Sequence, residues 1–330
     1  MKRFLPFLLL ALVAHTNLMA QKKAPIPVIF DSDMGPDYDD VGAIAMLHSF
    51  ADSGEVRILA TVASTRYEGV AAVFEIFNSY FGRPDLPIGV PGANACPWRD
   101  KQHWTDSLLA NYPHRITANS QAGKALDVYR RVLASQPDQS VVVVTTGFFT
   151  NLAELLQSGP DQWSSLRGTE LVKKKVKKLV SMAGRFPSGG EFNVRIDSAA
   201  SQTVARLWPT PILLSGFEIG YKVHVGLPLV HNKAISRSPV QDVFRISIPL
   251  DPEDSLGRMS WDETAVLVAV KGYQPWYRLQ TGTMVVNRDG TNTWINKGSR
   301  HAYLVEAQPP AVVEDLINRL IMHQPLKYGQ

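Results

Sequence analysis

Apolar residues fall along this chain in two patterns, short unbroken runs and longer stretches at helical spacing, and the two alternate. Val28-Ile-Phe30 reads as a buried strand and Val41 to Phe50 as an amphipathic helix. Val56 to Ala63 predicts a second strand, Val70 to Phe81 a helix, and Pro87 to Val90 a short third strand. Residues 93–118 break the alternation, because Cys96, Trp98, His103-Trp104 and Tyr112 follow no period; a long irregular loop of this kind often serves a site. Ala122 to Leu133 is again helical. Ser140 to Thr145, with four consecutive valines, predicts a strand buried on both faces. Thr150 to Leu156 opens a helix, Lys178 to Gly184 a strand, Arg185 to Asn193 a loop, Asp197 to Leu207 a helix and Pro211 to Gly216 a strand.

From residue 220 to 258 the signals weaken, and no element is assigned there. Trp261 to Val270 then reads as a helix, Thr283 to Ile295 as a hairpin around Asp289-Gly290, and Pro309 to His323 as a closing amphipathic helix. Strand and helix in alternation imply parallel pairing, so the predicted class is α/β: a Rossmann-like open, mainly parallel sheet with helices on both faces. No internal repeat, low-complexity segment or linker divides the chain, which makes residues 21–330 one domain.

Residues 1–20 carry Lys2 and Arg3, an apolar run from Phe4 to Val13 and small Ala20 before Gln21, the layout of a secretory signal peptide. The expected product is an exported protein, periplasmic or extracellular, with no membrane attachment after cleavage. Removing Lys2 and Arg3 lowers the formal charge from +4 to +2, too little to suggest a nucleic-acid partner. The basic run Lys173 to Lys178 is most simply a solvated helix end before a strand. Cys96 is the single cysteine, without a partner for an internal disulfide and with no base suggested beside it.

The chemistry is concentrated where the first strand ends. Asp31, Asp33, Asp37, Asp39 and Asp40 stand within ten residues. One or two of these acids could cap the next helix, but five repel one another unless some protonate or a cation neutralises them. An all-oxygen set without His or Cys suits Ca²⁺ or Mg²⁺ rather than zinc. Gly35 and Pro36 end the strand, so the acids fill a strand-to-helix loop, where open α/β sheets build their sites. An EF-hand is excluded, since Pro36 and Gly42 stand where its loop needs Gly and Glu.

Four spaced pieces, the aspartate loop, Thr145 to Ala153, Gly190-Glu191-Phe192-Asn193 with Asp197, and Trp261-Asp262, together resemble the inosine/uridine-preferring nucleoside hydrolases over nearly the whole mature chain. The resemblance implies a Ca²⁺-dependent N-ribohydrolase acting on a small-molecule nucleoside and assembling as a homo-oligomer, dimer or tetramer. It implies that Asp33, Asp40, the Thr146 carbonyl and Asp262 hold Ca²⁺, and that Asp33 also takes a proton from the attacking water. Glu191 and Asn193 would hold the ribose hydroxyls, with Asp39 assisting and Asp37 a spectator. Alone, Glu191 and Asn193 would read as a polar turn, and Asp197 and Asp262 as helix caps. Many family members place a histidine before the last metal-binding aspartate. Trp261 stands there instead, as in the purine-specific branch, and with Trp98 or Trp104 it would sandwich a purine and favour its departure. The chain departs from the family in a longer aspartate loop, in Ser64-Thr65-Arg66 where an asparagine is usual, and in Arg185 and Pro187 before Glu191. Arg66 or Arg185 could therefore meet a substituted 5′ end.

Two other readings compete. Ile29-Phe-Asp31-Ser-Asp33 resembles the nucleophile strand of haloacid-dehalogenase-type Mg²⁺ phosphatases, but Gly35 stands where that family wants Thr or Val, and its later Gly-Asp-x-x-x-Asp is absent. A non-catalytic nucleoside- or sugar-binding protein would share the fold, yet a site without turnover has no need of a base at Asp33.

Overall fold

The structure is a computed structural model that describes residues 24–325. The signal segment expected over residues 1–20 lies outside the described residues. Strands β1 (Ile26–Ser32), β2 (Val56–Ala63), β3 (Ile88–Val90), β4 (Gly123–Lys124), β5 (Val141–Thr145), β6 (Val176–Met182), β7 (Ser188–Gly190) and β8 (Ile212–Ser215) come first in the chain. A small pair, β9 (His224–Val225) and β10 (Arg258–Met259), stands apart, followed by β11 (Tyr277–Val286), β12 (Thr291–Ile295) and β13 (His301–Glu306). The helices are α1 (Asp39–Asp52), α2 (Val70–Tyr80), α3 (Trp104–Asn111), α4 (Ala125–Ala134), α5 (Thr150–Gln157), α6 (Gly168–Lys175) and α7 (Phe192–Ile196). They continue as α8 (Ser198–Leu207), α9 (Phe217–Gly220), α10 (Leu227–His231), α11 (Pro239–Ser247), α12 (Trp261–Lys271) and α13 (Pro310–Ile321).

The main sheet runs β4-β3-β2-β1-β5-β6-β8-β13-β11-β12-β7, parallel as far as β13 and antiparallel beyond it. Its two faces can be read along single strands. In β1, Val28 and Phe30 join one hydrophobic cluster while Ile29 joins the other, and in β5 Val142 and Val144 part from Val141 and Val143 in the same way. One cluster is covered by α1, α2, α12 and α13 through residues such as Ile44, Phe74, Val266 and Ile317. The other is covered by α4, α5, α6 and α8 through Val132, Leu152, Val172 and Val204. Helices thus lie on both faces of a mainly parallel sheet, as the alternation predicts. The lysine run is the end of α6 passing into β6.

Three stretches differ from the sequence reading. Residues 93–118 contain α3, with Trp104 and Leu108 one turn apart and fully buried. The unassigned span 220–258 holds α10 and α11, which pack against each other, while α11 also packs on α3. The hairpin at Asp289-Gly290 forms, but the sheet gains β13 between β8 and β11, and β7 as its edge.

Candidate active site

The strand order reverses between β1 and β5, the switch point at which the loops leaving two neighbouring strands turn apart and open a crevice. Asp33 follows β1, Thr146 follows β5, Glu191 and Asn193 follow β6 by way of β7, and Phe217 follows β8. All of these line one cleft of about 230 Å³, together with Asp39, Trp261 and Asp262. The β1 and β5 turns are pressed together. A side chain at Gly147 would run into the backbone N and Cβ of Asp33 and the Ser64 hydroxyl, so this position accepts only glycine without displacing the loop.

Asp40 is the hub of the acids. Its Oδ1 accepts from Ser32 Oγ at 2.6 Å and Thr146 Oγ1 at 2.8 Å, whereas its Oδ2 is buried without a donor, as is Asp33 Oδ2. Asp33 and Asp262 both lie against Asp40. Burial raises the pKa of all three. For Asp33 the Asp40 charge adds to this, and for Asp262 the charges of Asp39, Asp40 and Asp33 do. Among the described residues no three carboxylate, imidazole or thiolate groups form a ready-built metal cage. The donor set nevertheless fits a hard cation: carboxylate oxygens left without donors, facing one another in a low-dielectric pocket.

Glu191 caps α7. Its Oε1 accepts from Asn193 N at 2.7 Å, and its Oε2 from Gly184 N at 3.0 Å and Val194 N at 3.1 Å. A carboxylate oxygen can accept twice, so Oε1 retains capacity for a substrate hydroxyl. Asn193 donates its amide to the Thr146 carbonyl at 3.0 Å, which fixes the carbonyl beside the acids. Asp197 caps α8 through Ala200 N and takes a bond from the Thr150 hydroxyl, so its role is that of a helix cap. Cys96 lies near the site, its thiol pKa pushed up by burial.

Two expectations are corrected. Asp39 is not free to assist the ribose: Oδ1 accepts twice from Arg258, and Oδ2 accepts the backbone N–H groups of Trp261 and Asp262, which uses all four acceptor positions. Trp104 is fully buried in the core at the start of α3 and cannot stack on a substrate. Trp98 is half exposed and packs on Phe192, which lines the cleft, with ring centroids 5.9 Å apart. Trp261 lines the cleft beside Phe217, their centroids 5.4 Å apart, and its indole N–H donates to the Phe217 carbonyl at 2.8 Å. Of the two arginines named for the 5′ end, Arg185 lies 4.9 Å over the Phe217 ring and Arg66 donates to the Ala95 carbonyl.

Arg258, from the unassigned span, is the residue that sequence reasoning missed. Its guanidinium is buried in the cleft wall between the rings of Tyr38 and Trp261, at 4.7 and 5.2 Å. It forms ion pairs with Asp37 and Asp39, and lies 3.7 Å from Asp254. Asp37 is therefore a partner of Arg258 rather than a spectator. Burial lowers the Arg258 pKa to about 10, so the group stays charged at neutral pH.

The sequence model of a family described as inosine-uridine preferring nucleoside hydrolase matches residues 28–308. A pyrimidine-specific ribonucleoside hydrolase of Salmonella dublin is 26% identical over 213 residues. The match covers 61% of this chain and 63% of that protein, less than two thirds of its length. A plant nucleoside hydrolase superposes with a TM-score of 0.69 at 19% identity, over 90% of this chain and 99% of that one. A purine-preferring ribonucleoside hydrolase of Gardnerella vaginalis does so with a TM-score of 0.69 at 17% identity, over 89% and 98%. At these identities the structural likeness is one of fold.

Proposed function

The chain belongs to the inosine-uridine preferring nucleoside hydrolase family, and we propose that it is an exported N-ribohydrolase that releases base and ribose from ribonucleosides, purine nucleosides foremost, with the aid of Ca²⁺. The observation that carries the reading is the meeting of Asp33, Asp40 and Asp262 around carboxylate oxygens without donors, beside the free acceptor of Glu191 and under an aromatic wall.

N-glycoside cleavage passes through an oxocarbenium-like state and needs an activated water, anionic surroundings for the sugar ring and a tolerable leaving group. Asp33, Asp40, Asp262 and the Thr146 carbonyl would hold Ca²⁺. When bound it supplies positive charge that keeps these acids ionised and makes a water more acidic. Asp33, ionised, takes the water's proton. Glu191 orients a ribose hydroxyl with its spare acceptor, and Asn193 holds the Thr146 carbonyl in place. Trp261 offers its face to a planar base, a contact worth about 0.5–1.5 kcal/mol beyond burial. The family assignment supports the hydrolase over the phosphatase reading. For the base, the wall of Trp261 and Phe217 supports a purine, against the pyrimidine specificity in the name of the Salmonella relative.

The test is a panel of nucleosides presented to the purified protein, with free sugar as the readout, before and after metal stripping and Ca²⁺ readdition. Inosine, adenosine or guanosine should be cleaved faster than uridine or cytidine, and stripping should abolish turnover. Release of no sugar from any nucleoside at saturating Ca²⁺ would overturn the activity.

A further inference from the structure

We propose that Arg258 is a positioning residue that latches the aspartate loop to the first turn of α12, and so sets the spacing of Asp33 and Asp40 against Asp262. The inference rests on the cation site of the proposed function and deepens it.

Asp39 and Asp40 are neighbours at the start of α1 with divided tasks. Asp40 turns toward Asp33 and Asp262, while Asp39 turns toward Arg258 and the backbone of residues 261 and 262. The first turn of α12 needs acceptors for its N–H groups. Its own cap residue, Ser260, makes no capping bond and donates its hydroxyl to Glu263 Oε2 at 2.8 Å. Asp39 caps the helix from outside instead, with Oδ2 3.2 Å from both Trp261 N and Asp262 N. The N–H so held belongs to Asp262 itself. A shift of Asp39 therefore carries the Asp262 carboxylate with it.

Asp39 is held in place by a cation from the other side of the cleft wall. Arg258 meets Asp39 Oδ1 with Nε at 3.1 Å and Nη2 at 2.7 Å. The guanidinium is itself fixed from the aspartate loop, by the ion pair with Asp37 and the Tyr38 ring, and Tyr38 in turn donates to Asp254. The loop and the cleft wall are thus closed on each other through one side chain.

Outer partners of metal ligands typically change metal affinity about 10–100-fold when removed. Arg258→Met, Arg258→Lys and Asp37→Asn should be compared with the wild type by Ca²⁺ titration calorimetry on metal-stripped protein, by melting of the stripped forms, and by kcat/KM across Ca²⁺ concentrations. Arg258→Met should bind Ca²⁺ at least about tenfold more weakly, with Arg258→Lys and Asp37→Asn weakened by less. Saturating Ca²⁺ should return most of the turnover of each variant, because the defect lies in holding the ion. Wild-type Ca²⁺ affinity in Arg258→Met overturns the inference, whether the stripped form melts lower, which marks a merely structural role, or kcat falls at saturating Ca²⁺, which marks action on the substrate. If Arg258→Met does not fold, the Asp37→Asn titration decides in the same way. A wild type that binds no Ca²⁺ overturns the cation reading and this inference with it; normal wild-type binding with unchanged variants overturns this inference alone.

Discussion

Asp33 combines an orphaned, buried carboxylate oxygen with a place in the cleft beside Asp40, and in the proposed reaction it is the proton acceptor. Asp33→Asn keeps one oxygen for a cation but cannot take a proton, so turnover should fall about 10²–10⁴-fold while the melting temperature changes little. Retention of more than roughly a tenth of wild-type kcat would remove Asp33 from the role of base. The tryptophans separate the same way. Trp261→Ala should lower kcat/KM for inosine more than for p-nitrophenyl riboside, whose leaving group needs no help, and an equal loss on both would refute stacking. Trp104→Ala, by contrast, removes a buried core side chain and should cost about 3–5 kcal/mol of stability with no change in base preference. The acids were legible in the sequence because like charges crowd together only for a reason. Arg258 was not, because a lone arginine among short apolar runs has no local signature, and its partners Asp37 and Asp39 are more than two hundred residues away.

At the scale of elements, the site depends on how closely two strand ends approach. Gly147 ends the β5 turn against the Asp33 backbone, and a methyl group there has nowhere to go except by moving the aspartate loop. Gly147→Ala should therefore cost about 1–3 kcal/mol by overpacking, and should lower kcat/KM toward the level of Asp33→Asn although it removes no functional group. Paired thermal melts and kinetics check this, and wild-type kcat/KM would show that the loop tolerates the shift. The same elements explain what the hydrophobic pattern could reveal. β5 is legible because four consecutive valines between turn residues fit a strand buried on two faces, and β2 because only Arg57 interrupts its buried run. α3 is two turns long, too short to establish a period, and β13 has partly covered faces that blur its alternation. The site loops were legible as loops, but which loops would meet is a property of strand order and not of any local stretch.

Across the whole molecule, the helices on one face of the sheet and the end of the described chain are joined at His48, on α1. Its Nε2 lies 3.2 Å from Asn78 Oδ1 on α2, its ring stacks on Phe81 at 4.7 Å, and its Nδ1 lies 3.3 Å from Arg83 Nη1. Arg83 in turn holds Asp52 at 2.5 Å, and Asp52 accepts His323, beyond α13, at 2.7 Å. Burial, with the Arg83 charge second, lowers the His48 pKa to about 3, and the weaker pull of Asp52 does not offset it. The native imidazole is therefore neutral at any ordinary pH, while in the unfolded chain it titrates near 6.5. Below that value the unfolded chain takes up a proton that the native state refuses. The contribution of His48 is thus fully present above pH 6.5 and is lost as pH falls toward 3, at about 1.4 kcal/mol per pH unit. The buried carboxylates of the site, with raised pKa values, run in the opposite direction, so the total stability curve does not isolate this residue. A difference does. His48→Gln keeps a donor for Asn78 but does not titrate, and should be less stable than the wild type at pH 7.5. At pH 5.0 that deficit should shrink by roughly 2 kcal/mol, read from urea melts of both proteins at each pH with Ca²⁺ saturating. An identical deficit at the two pH values would mean that the native histidine is already free to protonate, and that the layer it joins is open to water.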